Sequence, residues 1–111
     1  MTLRPLHHFP ALCMAALLCG AAHAHESYMD CYERRDGTVT CEAGYEDGSP
    51  PGDRDRILIK DASGKNLLEG RFDEAGTYTF TRPEGDFMMV FIGSAVGHSL
   101  RIKSSKLIAP Q

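Results

Sequence analysis

Short runs rich in β-branched and aromatic residues recur about every 8–12 residues after the first two dozen positions, with Gly, Pro or Asp between them. No stretch keeps a 3.6-residue apolar period. This spacing limits the chain to an all-β domain, and it predicts seven strands near 27–34, 38–45, 55–61, 66–71, 77–81, 86–92 and 98–104. The breaks have turn chemistry of their own: Asp36-Gly37, Gly48-Ser-Pro-Pro-Gly52, Ser63-Gly64, Glu74-Ala-Gly76, Pro83-Glu-Gly85 and Gly93 to Gly97. Seven such strands suit an antiparallel Greek-key sandwich.

The segment before these strands reads differently. Arg4 and two histidines precede an apolar run, Ala11 to Ala22, that ends in small residues, the pattern of a secretory signal. Ala22-His23-Ala24 supplies the A-x-A motif, so residues 1–24 form the leader and 25–111 the domain, with His25 first. Cleavage after Ala22 also fits and leaves His23-Ala24-His25 at the start; a lipoprotein cut before Cys19 is hampered by the bulk of Leu18. The apolar run falls short of the roughly 20 residues that span a bilayer, and no later run approaches that length. The expectation is a periplasmic protein with no membrane span.

A domain of this size buries only about 60–65% of its unfolded surface, so a covalent staple is expected. Cys13 and Cys19 depart with the leader, which leaves Cys31 and Cys41 as an even pair in an oxidising compartment. Their pairing can be counted. A three-residue loop Arg35-Asp36-Gly37, with Gly37 left-handed, puts Arg34 opposite Thr38 and Cys31 opposite Cys41. Alternation then places Met29, Cys31, Val39, Cys41 and Ala43 on one face, the predicted core face. The spacing is not C-x-x-C, which argues against a redox or metal role for the pair.

Other features read as structure. Phe87 to Ile92 is apolar on both faces, as a central strand covered on both sides is. Met29, Met88 and Met89 are soft enough to bind copper, but methionine in such runs is core filler. Asp53-Arg54-Asp55-Arg56 reads as a solvated, self-neutralising loop leading into a strand. The formal net charge of −3, made more negative by loss of Arg4, argues against nucleic acid as a partner.

Several pieces together carry a resemblance: Cys41 to Pro50, Ile57 to Gly64, Leu68-Glu-Gly70, Asp73-Glu-Ala-Gly-Thr-Tyr-Thr-Phe80, Pro83 and Gly97-His98. Their order resembles the small carboxypeptidase-regulatory-like (transthyretin-like) domains that accompany nickel and cobalt uptake systems in bacteria, over nearly all of residues 25–111. The Asp73-x-x-Gly76-x-Tyr78-x-Phe80 piece is common to many sandwiches and speaks for fold. A histidine at the mature start together with Gly97-His98 is what those metal-uptake domains similarly show. The chain departs from them in having no membrane helix after Leu107 and in its Cys31/Cys41 pair. The resemblance therefore implies a free periplasmic carrier or chaperone that serves a membrane metal-uptake complex.

The chemistry of the two histidines fits that expectation. A chain that begins with histidine offers its α-amino nitrogen and an imidazole nitrogen to one Ni²⁺ or Cu²⁺, with cobalt a further candidate by family. His98 is the expected third donor. If seven strands alternate in direction, the first and last begin at the same end and His25 and His98 share one rim. Glu26 is positioned to add an oxygen. The alternative function is a non-metal interaction or structural module of the cell envelope. An enzyme fits less well: related ureide hydrolases end in Tyr-Arg-Gly-Ser, whereas this chain ends Ser105-Lys-Leu-Ile-Ala-Pro-Gln111, and no nucleophile–base pair or phosphate loop is visible.

Overall fold

A computed structural model describes residues 26–94 and 99–110; the expected leader, His25 and His98 lie outside them. Seven strands are present: β1 (Ser27–Glu33), β2 (Thr38–Tyr45), β3 (Arg56–Asp61), β4 (Asn66–Gly70), β5 (Thr77–Thr81), β6 (Phe87–Ile92) and β7 (Ser99–Lys103). Each falls within one residue of its expected bounds. They form two antiparallel sheets, one of three strands in the order β1-β2-β5 and one of four in the order β4-β3-β6-β7.

The first hairpin has the counted register. Arg34 N–H donates to the Thr38 carbonyl at 2.9 Å, Gly37 sits at φ +86°, and Cys31 pairs with Cys41. The two cysteines form a disulfide with a Cα–Cα separation of 4.0 Å. Such closeness is a property of cross-strand pairs whose backbones do not bond to each other. Consistent with that, the Cys31 carbonyl turns away from β2 and accepts the Ile108 N–H at 2.9 Å.

That last contact belongs to a strap. After β7 the chain makes one 3-10 turn, Ser104–Lys106, and runs back along the outer edge of β1, where Ile108 pairs parallel to Tyr32. Ile108 accepts the Glu33 N–H at 2.8 Å as well. An edge strand left open is a template for pairing with other chains, and at Cys31 to Glu33 this edge is capped by the chain itself.

The sheets bury one shared core between their inner faces. Met29, Cys31, Val39, Cys41, Ala43 and Phe80 from the three-stranded sheet meet Ile57, Ile59, Phe87, Met89 and Phe91 from the four-stranded sheet. The expected core face of the first hairpin is thus buried in full. Aromatic edges lock the two layers: Phe80 meets Phe87 at 6.1 Å and Tyr45 meets Phe91 at 6.3 Å, both edge-on. The β6 strand is buried on both faces for much of its length, Val90 being only 2% exposed although it points away from the core.

Aspartates organise the turns more than composition alone suggests. Asp36 Oδ1 accepts both the N–H and the hydroxyl of Thr38, at 3.0 and 2.6 Å. Asp47 does the same for Ser49, and Asp61 for Ser63. Asp73 takes the N–H groups of Ala75 and Thr77 and the Thr77 hydroxyl. Each is a local substitute for backbone pairing where the chain reverses. At two glycines the requirement is steric. A Cβ at Gly70 would overlap the Tyr78 ring, and one at Gly76, φ +78°, would lie 2.7 Å from the Ala43 carbonyl oxygen.

Closing a loop whose ends are 10 residues apart removes unfolded-state entropy worth about 2–3 kcal/mol. Thiol titration of the denatured, unreduced mature protein, residues 25–111, should therefore find Cys31 and Cys41 unreactive. Reduction should lower the thermal midpoint by several degrees, as about 2–3 kcal/mol does for a domain near this size. Two free thiols, or an unchanged midpoint, would contradict the staple.

Candidate functional site

One end of the sandwich gathers the strand starts of β1, β3, β5 and β7. Its centre is Asp55, 2% exposed, immediately before β3. The expectation of a solvated, self-neutralising loop is wrong at this residue. One carboxylate oxygen accepts the Gly52 N–H at 2.7 Å and the Tyr45 hydroxyl at 2.9 Å, and the other accepts the Ser94 N–H at 2.8 Å. A buried carboxylate needs such donors to be tolerated at all. Asp55 thereby ties together the end of β2, the 46–55 loop and the segment after β6.

The electrostatics follow from these bonds. Burial pushes the Asp55 carboxyl up, but the donors from Gly52, Ser94 and Tyr45 outweigh it and hold it below the usual carboxylate value. Tyr45 moves the other way, pushed up to about 12 by burial and then by its bond to Asp55. The carboxylate stays charged and the phenol stays neutral across the physiological range.

The expected donors stand as follows. Glu26 is exposed at this end, just before β1, and its carbonyl accepts the Glu46 N–H at 2.8 Å. Ser99, the first residue of β7, pairs with Ile92 at the end of β6, and Ser27 pairs with Tyr45. Tyr45 and Ser94 both bond to Asp55, so β1 and β7 begin at the same end of the domain. His25 and His98 adjoin these positions in the chain and lie outside the described residues. Among the described residues no group of three His, Cys, Asp or Glu side chains is arranged around a cation position.

Other sequence features separate. Met29 and Met89 are buried in the core, and Met88 lies on the opposite face of β6, so the three sulfurs do not converge. Cys31 and Cys41 are consumed in the disulfide. Of the loop carboxylates, Asp55 is saturated by its three donors and Asp47 Oδ1 is held by Ser49. Exposed acids nonetheless collect at this end: Glu26, Glu46, Asp53 and Glu74 all face solvent there. Asp55 escaped sequence reasoning because its neighbours Asp53, Arg54 and Arg56 are charged and mask a buried position. The one available signal was its place directly before the apolar run Ile57 to Ile59.

No family model matches the chain, and comparison with curated proteins and with solved structures found none similar.

Removing the Asp55 carboxylate strands three donors, two of them backbone. Asp55→Ala should cost about 2–4 kcal/mol in denaturant unfolding, whereas Asp53→Ala, exposed one turn away, should cost less than about 0.5 kcal/mol. In Asp55→Asn, ultraviolet titration should show Tyr45 ionising at lower pH than in the parent.

The pH dependence has two limbs. Asp36, Asp55, Asp61 and Asp73 are all held low when folded, so their stabilisation is present above the unfolded carboxylate range near 4 and is lost as pH falls through the folded values. Tyr45 is held high, so its share is complete below about 10 and is lost as pH rises toward about 12. Unfolding free energy measured against pH should therefore fall below about pH 4 and above about pH 10.

Proposed function

We propose that the protein is a periplasmic metal-binding accessory, exported through a leader spanning residues 1–24, which buffers or delivers nickel, with copper or cobalt as alternatives, to a membrane uptake complex. Its site is formed by His25, including the α-amino group, by His98, and by Glu26. We read the fold further as a Greek-key sandwich of the transthyretin-like, carboxypeptidase-regulatory-like kind, and the protein as a binder rather than an enzyme.

The observation that carries the reading is the common origin of β1 and β7. Glu26 and Ser99, the described neighbours of the two histidines, belong to one end of the domain, linked through Tyr45, Asp55 and Ser94. The exposed acids Glu26, Glu46, Asp53 and Glu74 at that end outnumber its exposed arginines, Arg54 and Arg71, which supports a local potential that favours a cation. A terminal amine with two imidazoles suits Ni²⁺ and Cu²⁺, whereas the same amine with oxygens alone suits neither well. The disulfide accords with an oxidising compartment.

Calorimetry on the tag-free mature protein tests this. Ni²⁺ or Cu²⁺ should bind; His98→Ala should weaken binding about tenfold or more, and one residue added before His25 should weaken it further by displacing the amine. Affinity should fall between about pH 8 and 5, as amine and imidazoles take up protons, whereas a purely carboxylate site would hold its affinity to near pH 4. Binding that ignores both alterations, or no binding at all, favours the non-metal interaction module.

A further inference from the structure

The outer face of the four-stranded sheet has a charge pattern that neither the core nor the metal reading uses. Because Phe87, Met89 and Phe91 enter the core, Met88, Val90 and Ile92 point outward from β6. The same alternation sends Arg56, Leu58 and Lys60 outward from β3, and Arg101 and Lys103 outward from β7. Register aligns them in rows: Leu58 beside Val90 beside Arg101, and Lys60 beside Met88 beside Lys103.

The result is an apolar stripe along β6 flanked by two cationic rows. The rows are two strand spacings, about 10 Å, apart. Leu58 and Val90 are only 8% and 2% exposed, so the apolar side chains reached from solvent between the rows are Met88 and Ile92, both half-buried. One acid opposes the cations within the sheet: Glu69 pairs with Arg56 at 3.2 Å. At the lower margin Asp61 and Asp86 come near Lys103, but Asp61 Oδ1 is engaged by Ser63 and Lys65 of its own turn. This concentration of cations stands on a chain whose formal net charge is −3.

We propose that this face docks the protein on an anionic lipid bilayer. Charge complementarity requires an anionic partner, and the composition of the face favours a bilayer over an acidic protein. Protein interfaces concentrate their affinity in aromatic anchors seated in pockets, and the outward positions of these strands carry no aromatic residue. A bilayer surface asks only for cations on long aliphatic stems, which Lys60, Arg101 and Lys103 supply, with the half-buried Met88 and Ile92 between them. The net negative charge of the remainder, including the acidic end near Glu26 and Glu46, then orients the molecule with this face toward the lipid.

Sedimentation of the purified protein with vesicles decides it, comparing pure phosphatidylcholine with phosphatidylcholine containing phosphatidylglycerol. Binding should require phosphatidylglycerol and fall steeply as salt is raised. Lys60→Gln/Lys103→Gln should lose about thirtyfold in partitioning, about fivefold per cation, with an unchanged thermal midpoint. Asp30→Asn/Glu42→Gln, on the other sheet, should lose nothing. A retained leader, with Arg4 ahead of its apolar run, would also favour acidic vesicles but would ignore these substitutions, so it cannot imitate the loss in the lysine pair. Equal binding to both vesicle types, no binding, or binding to acidic vesicles that survives the lysine pair each overturns the proposal. So does capture of polyglutamate by this face without vesicle binding, which would assign it to an acidic protein.

Discussion

Everything in this domain depends on one layer of side chains held between two small sheets. The three-stranded sheet offers little breadth for that purpose, and its inner face is the cross-strand pair Cys31–Cys41 with Val39, Met29 and Phe80 around it. The disulfide acts here as part of the core as well as a link, since both cysteines are among the fully buried side chains facing Phe91, Ile57 and Ile59. A sheet that narrow cannot tolerate a slip of register, because a shift of β1 by one residue would carry Met29 and Cys31 to the solvent side and part the two sulfurs.

The strands and the first hairpin were legible in the sequence for a simple reason. Each depends on local chemistry: alternation in Met29 to Cys31 and Val39 to Ala43, a left-handed glycine at Gly37, and turn residues between runs. The pairing of β5 with β2, and of β6 with β3, was not legible, because it joins segments far apart in sequence. Asp55 was hidden for the same reason. Its donors come from Gly52, Tyr45 and Ser94, and the last is separated from it by 39 positions. At the end proposed to bind metal, what alternation of strand direction anticipated is the shared starting end of β1 and β7; the proposed donors His25 and His98 lie outside the described residues.

The distribution of charge has a logic that composition conceals. A modest net charge conceals an acidic rim around Glu26, Glu46 and Asp53 and a basic sheet face around Lys60 and Lys103. Opposed patches of this kind give a molecule a preferred orientation in any external field, which a uniform surface of equal net charge lacks.

The strap along β1 bears on how the protein can be handled. Ile108 holds the Cys31 carbonyl and the Glu33 N–H, so the chain end is bridged in parallel to β1 at this one residue. Anything fused just beyond Pro110 is tethered to the strand that carries one half of the disulfide. A bulky carboxy-terminal fusion would pull on that strand and expose a backbone edge next to the apolar interior, inviting chains to zip together.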